Sequence, residues 1–299
     1  MPKKKKITPK QETALRCLQQ NFDKRAELAP SSDDVHATIS KSSPVDIDVD
    51  ADELEKNIAT LSINNGNTRI RYILCLDIEA TFDGDKSFSH ETHEVIELPC
   101  ILADIKEGKI IDEFHTFVKP SLHPQLTNEC IALTGITQVD VDNAPTFREA
   151  IQLLDGFMKK HSDKLHPPPQ IGSPPPNGWP NLGPRNYVWV TDGHADIERF
   201  LCLRSCRINR VRLPAYISGG YIDMKLLFKT HFKERGFRRL PDMLAKWGLS
   251  FEGREHSGLQ DARQVARIML FMVQMEAVQL KCNRSIVMEM NLSFAARQL

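Results

Sequence analysis

The chain has 299 residues, 41% of them hydrophobic, and Lys plus Arg and Asp plus Glu both number 39. This is enough for one large or two small domains with a buried core, and zero formal net charge excludes a global positive field, so any nucleic-acid face has to be local. Seven cysteines without a Cys-x-x-Cys pair, no secretory start and no apolar run of membrane-spanning length point to a reduced, soluble, intracellular protein without a membrane partner, expected in the cytoplasm with the nucleus as a second location.

The first ten residues hold five lysines, four of them consecutive from Lys3 to Lys6, which suit a nuclear address, a phosphate-binding tail or a plain solvated terminus. Thr8, Pro9 and Gln11 then read as cap, first-turn proline and capping partner of a short helix carrying Leu15, Leu18 and Phe22. Pro30 to Asp52 is rich in Ser and Asp and poor in large apolar side chains, as a linker or disordered tail is. Its alternating Asp46, Asp48 and Asp50 lack the glycine and closing glutamate of a calcium loop. Leu54, Ile58 and Leu61 suit one more helix before Gly66.

Tyr72 to Phe82 reads Tyr-Ile-Leu-Cys-Leu-Asp-Ile-Glu-Ala-Thr-Phe, a buried strand with Asp77 and Glu79 at its tip. Side chains two apart share a strand face, so the two carboxylates lie side by side and call for a hard divalent cation. An isolated Asp-x-Glu also suits a polar loop, so support has to come from further along. Asp83 to Thr92 is a polar loop; Glu94 to Ile105 and Ile110 to Val118 are strands joined by a turn with Gly108. Leu126 to Leu133 and Phe147 to Lys160 have helical spacing, the second capped by Thr146 with Glu149 three residues on.

His161 to Asn186 contains eight prolines and admits no core element, so it is read as a surface insertion, either passive or docking a partner. Tyr187 to Val190 is a second buried strand, Thr191 to Gly193 a turn, and Ala195 to Cys206 a helix with Asp196 in its first turn. Ile222 to Phe232 and Leu240 to Trp247 read as helices flanking the basic cluster Arg235, Arg238 and Arg239. His256-Ser-Gly-Leu-Gln-Asp261 opens a long amphipathic helix, with His256 in the loop and Asp261 about one turn inside, so that both can face one cavity. Ser285 to Leu299 suits at most a short terminal helix.

Asp77, Glu79, Asp196, His256 and Asp261, in that order, resemble the DEDDh group of 3′-to-5′ exonucleases, and within it the Eri-1-like three-prime histone mRNA and small-RNA exonucleases. Supporting stretches are Asp77 to Thr81, His93 to Pro99, Leu133 to Gln138, Thr191 to Gly193 and the His256 to Asp261 block. The resemblance implies an α/β, RNase H-like exonuclease fold with a five-stranded mixed sheet flanked by helices, behind a largely disordered N-terminal tail. On that basis residues 1–68 form the tail, 69–282 the exonuclease domain with its insertion at 161–186, and 283–299 a C-terminal extension.

The resemblance further implies an exoribonuclease that trims small RNAs or the 3′ overhangs of structured RNA. Asp77, Glu79, Asp196 and Asp261 would hold two Mg²⁺ (or Mn²⁺) ions, and His256 would act as general base, a task suited to imidazole. Thr81, Leu133, Thr134, Gly135, Ile136 and His194 are expected beside the terminal nucleotide, and Arg235, Arg238 and Arg239 at backbone phosphates. Expected partners are RNA 3′ ends, with silencing or ribosome-associated proteins as candidates for the tail or the proline-rich insertion. Two features depart from the family pattern: Ile78 replaces a common phenylalanine, and His194 and Ala195 stand where an aromatic usually precedes the third acid. The alternatives are a DNA 3′ exonuclease of the repair or proofreading type and a binding module that keeps the fold without turnover.

Overall fold

The protein is described by a computed structural model covering residues 70–84, 90–166, 185–217 and 220–286. The lysine run, both N-terminal helices and the acidic linker expected before residue 70 lie outside the described residues.

A central mixed sheet is built on β1 (Tyr72–Leu76), which pairs antiparallel with β3 (Val95–Asp104) on one side and parallel with β5 (Tyr187–Thr191) on the other. Beyond β3 lies β4 (Lys109–Phe117), antiparallel; beyond β5 lies β6 (Gly220–Asp223), parallel. Four of these strands are the ones read from the sequence; β6 makes up the implied number of five but lies where a helix was expected to begin. Two pieces of two residues bring the sheet to seven: β2 (Glu79–Ala80), which prolongs β1 along the same neighbour β3, and β7 (Arg284–Ser285), antiparallel to β6.

Both faces of the sheet are covered, which is why β1 and β5 read as continuous apolar runs. Tyr72, Leu74 and Leu76 pack into the cluster that includes α3 (Phe147–Lys160), whereas Ile73 and Cys75 pack into the cluster that includes α8 (Gly258–Glu276). Helix α3 turns Phe147, Ala150, Ile151, Leu154, Phe157 and Met158 inward at helical spacing. Its start follows the expected capping pair: the Thr146 backbone N–H donates to the Glu149 carboxylate at 3.0 Å. The turn between β3 and β4 is fixed by Asp104, whose carboxylate accepts the N–H groups of Lys106 (2.9 Å) and Glu107 (3.1 Å), and by Gly108 at φ 62°.

Several boundaries differ from expectation. The helix expected from Ile222 begins at Met224, because Tyr221 and Ile222 are fully buried in β6; α6 is Met224–Phe232, started by the Asp223 carboxylate accepting Leu226 N–H. The helix expected at Leu126 to Leu133 is α1 (Asn128–Thr134), and a second short helix, α2 (Gln138–Asp142), follows it. The segment from Leu240 is a short α7 (Leu240–Leu244) finished by a tighter turn at Ala245–Trp247. Ala195 to Cys206 is a helix, α5, but wound with the wider π pitch, and its buried Ile197, Leu201 and Ser205 recur every four residues. Ser285 belongs to a strand and not to a terminal helix, and Asn283 exchanges two hydrogen bonds with the Asp223 backbone (2.8 and 2.9 Å), so the start of the expected C-terminal extension is part of the sheet.

The proline-rich segment also needs correction at its ends. Ser162–Leu165 forms a short helix, α4, with Leu165 fully buried, so part of the expected insertion is core. Asn186 N–H donates to the Leu165 carbonyl at 3.1 Å, which pins the two ends of the excursion together. Replacing residues 167–184 by a short Gly/Ser linker is therefore expected to leave nuclease activity within about twofold, since loop-closure entropy varies only slowly with length. Leu165→Ala, by contrast, is expected to cost about 2–5 kcal/mol in urea unfolding, as core leucine truncations do. A dead but folded linker variant would mean that the excursion builds the site.

Candidate active site

The two acids of the first motif sit at the end of β1, where the chain leaves the strand at Asp77 and Ile78 and re-enters the sheet at Glu79. β5 runs parallel to β1, so both strands deliver their C-terminal ends to the same edge of the sheet, and α5 starts there with Asp196 in its first turn. The end of β1 and the start of α5 are linked directly: Ile78 N–H, lying between Asp77 and Glu79, donates to Asp196 Oδ1 at 3.4 Å. From the other side α8 enters with buried Asp261 in its first turn, Asp261 N–H bonding the Ser257 carbonyl at 2.8 Å. His256 precedes it, exposed and in the left-handed region (φ 61°), and its backbone N–H donates to the Asp261 carboxylate. Atoms of Glu79, His256 and Asp261 all lie within 4.8 Å of one another. The expected five residues are thus brought to one place by three separate junctions.

Their proximity shows in their proton affinities. Burial pushes Asp77 well above the carboxylate range, followed by the charges of Asp196, Asp192, Asp261 and Glu79. Glu79 is raised to about 8 by burial and by Glu97, Asp261 and Asp196, with Arg254 opposing. Asp196 and Asp261 are each raised to about 7, again chiefly by burial, with Asp192 the leading charge on both. Such a group resists ionisation until a cation arrives.

The residues fit divalent cations on two further grounds. The donor set is hard oxygen plus one imidazole, and Asp192 Oδ1 is a buried oxygen with no hydrogen-bond partner among the described residues.

Some expected substrate contacts fall differently. Thr81 is 3% exposed, and its hydroxyl oxygen accepts Glu94 N–H at 2.9 Å, so it latches the strand after the acids and presents no surface to a nucleotide. Thr134 and Ile136 are also buried (3% each); Leu133 and Gly135 are exposed at the end of α1. His194 stands at the start of α5, partly exposed. Of the three arginines, all exposed, Arg238 is paired with Glu234 at 2.7 Å and Arg239 lies 3.6 Å from Asp242 and 3.7 Å from Glu255; such surface pairs are solvent-screened and leave the cluster its charge.

Three groups beside the acids were not singled out from the sequence. Asp192 follows β5 and is held by Lys225 of α6, Nζ to Oδ2 at 2.5 Å, and Lys225 is drawn up mainly by Asp192, then by Asp77 and Asp196, against the effect of its burial. Arg254 donates to the carbonyls of Ala132 (2.8 Å) and Leu133 (3.1 Å), tying the loop before His256 to the C-terminal end of α1. Asp192 had a signal, being an acid after an apolar strand as Asp77 is. Lys225 and Arg254 had none, because each acts across the fold.

The sign of the pH dependence follows. Glu79, Asp196 and Asp261 ionise near 4 when unfolded but near 7 to 8 when folded and cation-free, so the folded state binds more protons across that window and loses stability as pH rises. Chelator-treated protein is expected to melt at progressively lower temperature from pH 5 to pH 8, and added Mg²⁺ to raise the midpoint more at pH 8 than at pH 5. An Mg²⁺ effect independent of pH in scanning calorimetry would contradict this.

Comparison with known proteins agrees with the geometry. The exonuclease profile RNase_T matches residues 74–166. The 3′-5′ exonuclease eri1 of Schizosaccharomyces pombe is 39% identical over 223 residues, 74% of this chain and 74% of that one. The mouse 3′-5′ exoribonuclease 1 is 32% identical over 224 residues, 74% of this chain but only 58% of that protein, so the chain spans little more than half the length of this relative. Among solved structures, the nuclease domain of 3′hExo, a DEDDh family member bound to rAMP, superposes with a TM-score of 0.60 at 30% identity, over 73% of this chain and 98% of that one. A 3′-exonuclease solved in 3′-end-specific recognition of the histone mRNA stem-loop gives 0.61 at 28% identity, over 74% of this chain and 89% of that one. With its acids gathered at the C-terminal ends of two parallel strands and this degree of likeness, the chain belongs to the Eri1-like family of 3′-to-5′ exonucleases, whose DEDDh chemistry depends on divalent metal.

Proposed function

We propose that the protein removes nucleotides from RNA 3′ ends as nucleoside 5′-monophosphates, with small RNAs and the 3′ overhangs of structured RNA as its substrates. The observation that carries this reading is the convergence of Asp77, Glu79, Asp196 and Asp261 with His256 beside them. Asp77, Glu79, Asp196 and Asp261 would hold two Mg²⁺ or Mn²⁺ ions, which would supply Lewis-acid polarisation of the scissile phosphate and charge stabilisation of the attacking and leaving oxygens. The exposed His256 imidazole takes the proton from the attacking water; its left-handed backbone and the N–H bond to Asp261 fix where the ring projects. The exposed end of α1 at Leu133 and Gly135, with the Arg254 guanidinium against it, offers a surface to the terminal nucleotide, and Arg235 a charge to the backbone.

Asp77→Asn keeps the side-chain shape and removes a ligand charge, so turnover in Mg²⁺ is expected to fall to background while RNA binding persists in a filter-retention assay. His256→Ala is expected to slow single-turnover cleavage by about 10²- to 10⁴-fold, the usual worth of a general base. Near-normal rates in either variant would remove that residue from the mechanism.

The substrate end has its own test. Unpairing costs about 1.4 kcal/mol per base-pair step, and no described element resembles a motor, so a labelled duplex with a two-nucleotide 3′ overhang is expected to be trimmed rapidly and then to stall. The same strand alone should be degraded throughout, and a blunt duplex slowly. Equal rates on all three, internal fragments, or a preference for the matched DNA strand would overturn the reading.

A further inference from the structure

Glu79 lies directly opposite Glu97 in the pairing of β2 with β3, so two carboxylates occupy facing positions at the edge of the site. Like charges placed opposite one another destabilise a sheet, and Glu97 has only 2% of its surface exposed. A buried carboxylate set against a cation ligand needs a structural reason.

The reason lies in where its oxygens go. Glu97 Oε2 accepts the N–H of Gly258 at 2.9 Å and Oε1 the N–H of Leu259 at 3.1 Å, while His115 Nε2 of β4 sits 2.9 Å from Oε1. Gly258 and Leu259 are the first two residues of α8, and N–H groups in the first turn ahead of Asp261 have no partner inside the helix. Ser257, the residue in the capping position, makes no side-chain cap bond. A carboxylate from the sheet therefore does the work that a local serine or aspartate does elsewhere, and its charge matches the positive end of the helix.

The contact is close on every side. A Cβ on Gly258 would stand 2.6 Å from the Asp77 carbonyl oxygen and 3.2 Å from the Glu97 carboxyl carbon, so the start of α8 is wedged between the backbone of the first acid and the side chain of Glu97. The same start carries His256 two residues earlier and Asp261 three residues later. Glu97 is thereby joined to all three parts of the site: Glu79 across the sheet, Asp77 through Gly258, and the His256–Asp261 block through the helix.

We infer that Glu97 is the positioning residue of this active site: it docks the first turn of α8 against β1 and sets Asp261 in register with Asp77 and Glu79 for cation binding. It touches neither substrate nor reacting atoms. The inference rests on the cation-dependent reading above and adds to it a carboxylate that no ligand pattern contains. Its charge also contributes to the raised proton affinity of Glu79 and Asp261, and the same negative potential favours a cation once one is bound.

Two variants of the full chain separate charge from reach. Glu97→Gln keeps the length and removes the charge, leaving one amide oxygen for two N–H donors; Glu97→Asp keeps the charge and withdraws it by one methylene. Mn²⁺ binding by isothermal titration calorimetry is expected to weaken by about 10- to 100-fold in both, the usual loss when a partner of a ligand is removed. At saturating Mg²⁺, kcat on single-stranded RNA should fall while KM stays within about threefold, because the helix start positions ligands and not RNA. A folded variant that binds Mn²⁺ within threefold of wild type, or that loses only thermal stability, would overturn the inference; if Glu97→Gln does not fold, Glu97→Asp decides alone. Wild-type protein that binds Mn²⁺ yet releases no mononucleotides would overturn the proposed function, with the Mn²⁺ comparison still deciding the role of Glu97.

Discussion

The structure turns on holding four acids where they repel one another. Asp77, Glu79, Asp196 and Asp261 sit at one sheet edge with their proton affinities raised by burial and by each other, and Asp192 adds a further charge. No packing of apolar groups would keep them there in water, since each would swing outward to be hydrated. Each is instead fixed by its backbone origin, on a strand end or in the first turn of a helix, so the repulsion is built into the covalent path of the chain.

The surrounding groups reduce that repulsion without cancelling it. Lys225 engages Asp192, Arg254 lowers the potential at Glu79, and backbone N–H groups of Ile78 and His256 serve Asp196 and Asp261. What remains is a deficit of positive charge. In the cation-free site protons fill part of that deficit, as the raised affinities of Glu79, Asp196 and Asp261 show, and a divalent cation has to displace them to bind.

Much of this was legible in the sequence because it is local. Asp77 and Glu79 follow a run of apolar residues, Thr146 and Glu149 mark the start of α3, and Gly108 marks a hairpin; each signal lies within a few positions of the structure it sets. The helix of residues 195–206 was visible, but its π winding was not, since Ile197, Leu201 and Ser205 fit an i, i+4 pattern of either kind. What failed were inferences that required knowing what lies across the fold. Thr81 is expected beside the terminal nucleotide by resemblance, yet its hydroxyl oxygen is turned inward to accept the Glu94 N–H. Leu165 reads as part of a proline-rich excursion, yet the base of that excursion is closed by Asn186. Arg239 is expected at a backbone phosphate, yet Glu255, from the loop before His256, stands 3.7 Å from it.

Gly135 shows how far such dependence reaches. It ends α1 at φ 75°, and a methyl group there would come within 1.7 Å of an Arg254 guanidinium nitrogen. That arginine is exposed and its guanidinium can swing aside, so the firmer demand at 135 is the left-handed backbone that ends α1, which a side chain adopts only with strain. A side chain there would also take the place of the guanidinium that bonds the carbonyls of Ala132 and Leu133, loosening the tie between the end of α1 and the loop before His256. In a saturation screen this glycine would therefore score as a graded position, tolerant of small residues that accept a positive φ and worse with bulk, unlike the all-or-none positions of a ligand set.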